Sequence, residues 1–335
     1  GETKYRDWLL EYVDAWVERC AANGGIIPTN IGLDGTIGGE CDGKWYGGVY
    51  GWGFSVVVPQ TGALAHRNYQ SRTVYGFANA LLLTGDPRYL DVWRTVIERV
   101  NENAKTVDGQ TLYPHMYGDQ GWYEYRTQPF DAGALELYYL SMKAEDRARV
   151  VDNRWLDYLE GNDPDYPVDA LNEALDQVRQ RVAGFRADPT TPDTRLSDDM
   201  NNLNPARTER LTELMLGGLP TGRVGYPLHC RLRYFDADQH NAGLPEDVGA
   251  LVETMSDDEV RVSLVNLDPL RARTVVVQGG AYGEHSFTSA QVGERSVPIQ
   301  AATFTIRLEP GCGARLVLGM ERYVNQPTLT FPWDR

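Results

Sequence analysis

The stretch LLLTGDPRYLDVWR, from Leu81 to Arg94, decides how the first half of the chain folds. Apolar residues three and four positions apart precede Gly85, and a second set with the same spacing follows Pro87, which is the pattern of two amphipathic helices. Gly85 can end the first helix in a left-handed conformation, Asp86 can cap the second, and Pro87 suits a first helical turn, where no backbone donor is needed. The sequence therefore predicts two antiparallel helices joined by a very short loop.

The helical pattern covers most of the chain before Gly218. Aromatic and aliphatic residues three and four positions apart place one apolar face on a helix from Lys4 to Ala22. The Asp-Pro-X-Tyr sequence of the first joint recurs at Asp163–Tyr166. This repetition indicates a second helical hairpin and an array of such units. Two more helices are predicted, over Ala132–Leu140 and Pro205–Gly217, which brings the predicted number to about seven.

After Gly243 the hydrophobic period falls to two residues, as in Val260–Leu264, and Gly, Pro, Asp and Asn turns separate similar runs. This pattern is typical of antiparallel strands. The stretch Arg186–Asn204 is rich in Asp, Pro, Thr and Asn and is predicted to be a surface excursion. We therefore predict an α+β fold with two domains, a helical domain over residues 1–222 and an antiparallel β-sandwich over residues 223–335.

Composition excludes several classes of function. The chain has 335 residues and is 42% hydrophobic, so it can bury a large core. Its formal net charge of −15 argues against nucleic acid or an anionic membrane as the main partner. Its four cysteines lie far apart without metal-ligand spacing. It contains neither a signal peptide nor an apolar run long enough to cross a membrane.

The joint at Leu81–Arg94 resembles the helical hairpin joints of (α/α) toroid proteins, a superfamily rich in polysaccharide lyases and glycoside hydrolases. A helical toroid followed by an antiparallel β domain is similar to the layout of several of these enzymes, although no catalytic motif of one family matches residue by residue. The resemblance implies a toroid-like helical domain and a secreted or periplasmic enzyme acting on an oligo- or polysaccharide. A closed toroid needs more helices than we count, so we expect a partial toroid that is completed by a homo-oligomer or by a preceding segment.

A second stretch, GECDGKWYGGVYGWGF from Gly39 to Phe54, is rich in both aromatic residues and glycines. Aromatic rings stack on the C–H faces of sugars, and glycines allow the backbone to approach a ligand closely. Four of its residues are therefore predicted to bind substrate: Trp45, Tyr46, Tyr50 and Trp52. The alternative is that these rings are ordinary core. No cofactor is predicted, and the one metal considered is a structural calcium held by Glu40, Asp42 and Asp34.

Two further loops combine histidine, tyrosine and arginine, one at His66–Arg72 and the other at Tyr113–Asp131. A lyase needs a base to remove the proton beside a uronate carboxylate and an acid to protonate the departing oxygen. The predicted acid and base groups are His66, Tyr69, His115 and Tyr117. The residues predicted to hold the sugar or its carboxylate in these loops are Arg67, Asn68, Trp122, Tyr123 and Arg126.

The strand predicted near Arg223–Asp236 alternates apolar and basic residues. The alternation places His229 and Arg231 on an outward face, which could form the floor of a site for an anionic sugar. The other interpretation is a strand face that pairs with nearby acids.

Lyase chemistry is our first hypothesis for the function. The second is a glycoside hydrolase, which needs two carboxyl groups on either side of the scissile bond. The candidate acids for that reaction are Glu40, Asp42, Asp119, Glu124 and Asp131. The third is a carbohydrate-binding protein in which the same rings bind a glycan and no bond is broken.

Overall fold

The computed structural model describes residues 2–59, 61–66, 74–195, 204–220 and 226–334. The chain divides into two compact units, residues 1–151 (unit 1) and residues 152–335 (unit 2). This boundary differs from the one predicted between residues 222 and 223. The reason is that two helices after Val151, at Arg154–Leu159 and Glu209–Leu216, pack on a strand of their own unit, Val248–Met255.

Unit 1 holds helices and short hairpins. Its described helices are α1 (Thr3–Ala22), α2 (Val74–Thr84), α3 (Arg88–Asn101), α4 (Ala134–Ser141) and α5 (Ala144–Arg147). Three antiparallel hairpins connect them: β1 (Ser55–Val57) with β2 (Leu64–His66), β3 (Lys105–Val107) with β4 (Gln110–Leu112), and β5 (Met116–Gly118) with β6 (Gly121–Tyr123).

The joint between α2 and α3 has the predicted form. Gly85 is left-handed, with φ +70°, and its N–H donates to the carbonyl of Leu81 at 2.7 Å. The carboxylate of Asp86 accepts from the N–H of Arg88 at 2.9 Å, which satisfies a donor of the first turn of α3. The two helices pack against each other, so the predicted hairpin is confirmed.

The core of unit 1 lies where α2 contacts α1, α3 and α4. Phe77, Leu81, Trp93 and Leu137 are all buried there. On α3, the buried guanidinium of Arg94 binds the buried carboxylate of Asp146 at 2.7 Å, which ties α3 to α5. A buried ion pair of this kind needs both partners, because either charge alone would be costly to bury.

Helix α1 uses only part of its apolar face. Val13 is buried, but Tyr5, Trp8 and Tyr12 are 59%, 68% and 63% exposed. The aromatic residues spread over a wider arc of the helix than α2 and α3 cover. Within the described residues, part of the apolar face of α1 is therefore left exposed.

Unit 2 begins with helices and continues as strands. Its described helices are α6 (Arg154–Leu159), α7 (Tyr166–Ala187) and α8 (Glu209–Leu216), and a short 3-10 turn lies at Pro332–Asp334. The helix predicted from Pro205 begins only at Glu209, because residues 204–208 are irregular. The described part of the chain thus has eight α-helices, one more than the number expected.

Nine strands follow in unit 2: β7 (Leu232–Asp236), β8 (Asn241–Ala242), β9 (Val248–Met255), β10 (Glu259–Asn266), β11 (Arg273–Gly279), β12 (Ser286–Val292), β13 (Arg295–Ala301), β14 (Thr303–Leu308) and β15 (Gly313–Glu321). They form two antiparallel sheets, ordered β13-β12-β15-β10-β9 and β14-β11-β7-β8. Val260, Val262 and Leu264 are buried, as the alternation predicts. A helical region followed by a β-rich, sandwich-like region is therefore confirmed.

Helices α6 and α8 pack against β9. Within the described ranges, every helix of the chain is too short or too polar to cross a lipid bilayer.

Candidate functional site

The candidate site is a cleft in unit 1 between the glycine-rich loop and the β5–β6 hairpin. Its volume is about 600 Å³. The residues around it are Tyr46, Gly47, Trp52, Gly53, Gly118, Asp119, Gln120, Trp122 and Tyr123. We call this cavity the aromatic cleft.

The loop that forms one wall is held by backbone contacts. The N–H of Thr29 donates to the carbonyl of Trp45 at 2.7 Å, and the side-chain amide of Asn30 donates to the carbonyl of Tyr46. The chain then turns so tightly that a Cβ on Gly51 would lie 1.9 Å from the carbonyl oxygen of Gly47. Only glycine fits at this position, which explains why a glycine separates Tyr50 from Trp52.

Tyr117 is the centre of the ring cluster behind the cleft. Its ring centroid lies 4.6 Å from that of Trp45, 5.0 Å from that of Tyr46 and 4.9 Å from that of Trp122. The contacts with Tyr46 and Trp122 are edge-to-face and the contact with Trp45 is tilted, and together they fix the orientation of the Tyr117 ring. The rings predicted from two distant stretches of sequence therefore meet, and Tyr46 and Trp122 are presented to the cleft by a rigid support.

Trp52 belongs to the core. Its side chain is 0% exposed, and its indole N–H donates to the carbonyl of Ile27 at 3.1 Å. Although Trp52 borders the cleft, it has no face on which a sugar could stack, so the core interpretation holds for this ring. Tyr50 is 41% exposed but lines another cavity, of about 390 Å³, together with Tyr12 and Trp16.

A charged cluster lies at the rim of the cleft. Asp119 accepts hydrogen bonds from the ammonium of Lys44 at 2.7 Å and from the hydroxyl of Tyr46 at 2.9 Å. These bonds lower the pKa of Asp119, and the bond to Asp119 raises the pKa of Tyr46. At neutral pH the rim therefore presents an ionised carboxylate, an ammonium and a protonated phenol.

His66 lies beside the cleft wall. Its Nδ1 is 2.5 Å from the hydroxyl oxygen of Ser55, its Nε2 is 3.4 Å from a carboxylate oxygen of Glu124, and its ring centroid is 6.2 Å from that of Tyr123. Glu124 has a left-handed backbone, with φ +55°, which is unusual for a residue with a side chain. Arg126, predicted to bind substrate, lies 3.5 Å from Glu124 and is exposed.

The other predicted acid and base groups are not together in the cleft. His115 places its Nε2 3.1 Å from the carbonyl of Gln128 and its ring against Phe130. Tyr117 lies within the ring cluster, where it supports the cleft residues. Three predicted residues, Arg67, Asn68 and Tyr69, lie outside the described residues.

Three of the candidate acids lie away from the cleft. Glu40 and Asp42 are in an exposed turn with left-handed backbones, and Asp131 accepts from the amide of Gln128 at 3.1 Å. Asp34 accepts from the N–H of its neighbour Thr36 at 2.9 Å. Across the described ranges, no three His, Cys, Asp or Glu side chains form a group that could hold a metal ion.

The prediction that His229 and Arg231 face outward is wrong. They are only 3% and 0% exposed, because strand β7 begins at Leu232 and the preceding segment is covered on both sides. The N–H of Arg231 donates to the carbonyl of Leu216, at the end of α8, and its carbonyl accepts from Gly280. These two basic residues therefore cannot form the floor of an open sugar site.

A comparison with protein families gives one match. The sequence model of a family described as a domain of unknown function, DUF8034, matches residues 1–115 and 151–212, which is more than half of the chain. The chain belongs to the DUF8034 family. No curated protein and no solved structure matches it significantly. The part of this DUF8034 chain that matches contains Tyr46 and His66, whereas Asp119 and Trp122 lie between the matched segments.

Sequence reasoning missed three polar residues of the site. Lys44 and Gln120 are the sequence neighbours of Trp45 and Asp119, which were predicted. Ser55 could be found only from the pairing of β1 with β2, in which it lies directly opposite His66. Glu136 was also missed: it accepts from the hydroxyl of Tyr75 at 3.1 Å, and burial raises its pKa. Its position in the first turn of α4, where an acidic residue is common, did not distinguish it from a solvent-exposed glutamate.

Proposed function

We propose that this chain is a polysaccharide-degrading enzyme that holds its sugar in the aromatic cleft. The observation that carries the proposal is the cleft itself, about 600 Å³ in volume, with the rings of Tyr46, Trp122 and Tyr123 on its walls. Ligand sites of small molecules are about 300 to 1,000 Å³ and combine apolar walls with a few polar groups. Here Asp119 and Gln120 supply those polar groups.

A sugar fits this combination for physical reasons. Its C–H faces are apolar enough to lie on an aromatic ring, while its hydroxyls need donors and acceptors at the edge of the ring. The Lys44–Asp119 pair at the rim provides both, at side-chain exposures of 47% and 71%. Because the supporting rings are locked together, few rotamers need to be fixed when a ligand binds.

For the reaction we propose β-elimination of a uronate-containing glycan. We assign protonation of the departing glycosidic oxygen to Tyr46, because its side chain lines the cleft and its hydroxyl proton is held there by Asp119. We assign the removal of the proton beside the uronate carboxylate to Tyr123, the other phenol of the described lining, which first gives up its own proton to solvent and acts as the phenolate. Lys44 supplies positive charge for that carboxylate.

Hydrolysis is a second candidate because Asp119, with its lowered pKa, is suited to act as a nucleophile or base. The described lining of the cleft contains one carboxyl group, and hydrolysis needs two, so elimination is the better supported of the two reactions. We further propose that the helical hairpin of α2 and α3 is part of an (α/α) toroid-like arrangement and that the protein works outside the cytoplasm, where polysaccharides are found.

Product analysis tests this proposal. The protein is incubated with polysaccharides that contain or lack uronate, and the ultraviolet absorbance of an unsaturated uronate is followed together with the appearance of reducing ends. We expect both signals from uronate polymers. Reducing ends without that absorbance would assign the protein to the hydrolases, and binding without any cleavage would leave a carbohydrate-binding protein.

A matched pair of variants assigns the acid. Tyr46→Phe removes the hydroxyl from the cleft, and Tyr12→Phe removes one from the exposed face of α1. If Tyr46 is the acid, only the first variant lowers turnover, by about 100-fold or more. Equal activity of the two variants would exclude Tyr46 from that role.

A further inference from the structure

The β1–β2 hairpin brings a serine and a histidine together on one face. Ser55 and His66 are direct cross-strand partners, so their side chains leave the two-stranded ribbon on the same side. The hydroxyl oxygen of Ser55 lies 2.5 Å from Nδ1 of His66, which is a short hydrogen bond.

The contacts of His66 favour one tautomer of its ring. A carboxylate cannot donate a hydrogen bond, so the approach of Nε2 to within 3.4 Å of a carboxylate oxygen of Glu124 favours the neutral ring with its hydrogen on Nε2. Nδ1 is then the acceptor for the hydroxyl of Ser55. The three side chains form the sequence of nucleophile, base and orienting acid that activates a serine.

Glu124 comes from a separate segment, since it is the first residue after β6. Its backbone is left-handed. Such backbone conformations cost free energy and persist only where the surrounding structure holds them. The group is also open to a ligand: the side chains of His66 and Glu124 are 20% and 38% exposed.

We propose that Ser55, His66 and Glu124 form a catalytic triad that removes ester-linked acyl groups from the sugar bound in the adjacent aromatic cleft. Tyr123 connects the two sites, since it lines the cleft and its ring contacts His66. The choice of an acylated sugar as substrate rests on the proposed function of the cleft, whereas the triad itself does not.

The reaction balances with water as the only co-reactant. The hydroxyl oxygen of Ser55 attacks the ester carbonyl carbon while Nδ1 of His66 takes the hydroxyl proton, and Glu124 stabilises the imidazolium through Nε2–H. The tetrahedral intermediate then expels the sugar oxygen, which takes the proton from His66. Water, deprotonated by His66, attacks the acyl-serine in the same way and releases the carboxylic acid.

Labelling of the wild-type protein tests the triad without any variant. The protein is treated with a fluorophosphonate probe and, separately, with p-nitrophenyl acetate, and the modified residue is mapped by mass spectrometry. We expect covalent modification at Ser55 and steady release of p-nitrophenol. A protein that is neither labelled at Ser55 nor active on the ester would overturn the proposal.

Three variants sharpen the result. Ser55→Ala is expected to lower ester hydrolysis by about 100-fold or more and Glu124→Gln by about tenfold or more, whereas Ser296→Ala, at an exposed serine on β13, leaves it unchanged. Full ester hydrolysis by Ser55→Ala would overturn the proposal, because the hydrogen bond between Ser55 and His66 would then serve only to pair the two strands. Ester hydrolysis at Ser55 without glycan binding would refute the proposed cleft function alone, and glycan cleavage without acylation of Ser55 would refute the triad alone.

Discussion

The aromatic cleft of unit 1 and a polar cluster in unit 2 contain the same kinds of residue in very different surroundings. In the cleft, Asp119 and Lys44 have side-chain exposures of 71% and 47%. In the cluster, Arg231, Glu284 and His285 are 0%, 1% and 2% exposed. Histidines, acids and bases therefore indicate a ligand site only where solvent and a ligand can reach them.

The buried cluster has a structural role that its contacts explain. The carboxylate of Glu284 accepts from the N–H groups of Ala281 and Tyr282 at 3.2 and 2.7 Å, and Nδ1 of His285 accepts from the N–H of Tyr323 at 3.1 Å. Burial raises the pKa of Glu284 to about 7 and lowers that of His285 well below its usual value. These bonds hold a tight turn and the chain that follows β15.

The largest effect expected from the comparison is at Trp52. Replacing this fully buried ring in Trp52→Ala leaves a cavity under the cleft and is expected to lower the free energy of unfolding by about 3 to 5 kcal/mol. Denaturant unfolding measures the change, with Trp8→Ala, at an exposed tryptophan, as the control. A loss below about 1 kcal/mol in Trp52→Ala would place the ring at the surface.

The second effect concerns pH and Glu284. Its pKa is about 7 in the folded chain and roughly 4.3 in an unfolded one, so it is protonated in both states at low pH, and its stabilising contribution is lost as the pH rises from the unfolded pKa to the folded pKa. The stability of Glu284→Gln relative to the wild type should therefore increase by roughly 3 kcal/mol between about pH 4 and pH 7. Unfolding measured at several pH values tests this, and a constant difference would show that Glu284 titrates normally.

The smallest effect is at the rim of the cleft. Lys44→Met removes one partner of an exposed ion pair, and such pairs contribute little, so glycan affinity is expected to fall by less than about tenfold. The loss should shrink at high salt, because exposed charges are screened. Titration with an oligosaccharide at two salt concentrations measures both changes, and a larger, salt-independent loss would mean that Lys44 contacts the ligand in a desolvated site.

Local patterns predicted the fold better than they predicted the site. The joint at Gly85–Asp86 was predictable because its caps involve neighbours in sequence. The burial of Trp52 was not, since it depends on the β5–β6 hairpin, more than sixty residues further along the chain. The alternation around His229 and Arg231 was misleading because the segment is irregular until Leu232 and is covered by the end of α8.

Binding of a glycan in the aromatic cleft can be tested by titration of one matched pair of variants. Neutral and uronate oligosaccharides are titrated against the wild type, Trp122→Ala and Trp8→Ala by calorimetry. We expect Trp122→Ala to weaken binding by about 1 to 3 kcal/mol and Trp8→Ala to bind like the wild type. Equal affinities for the wild type and Trp122→Ala, or a loss confined to Trp8→Ala, would contradict it.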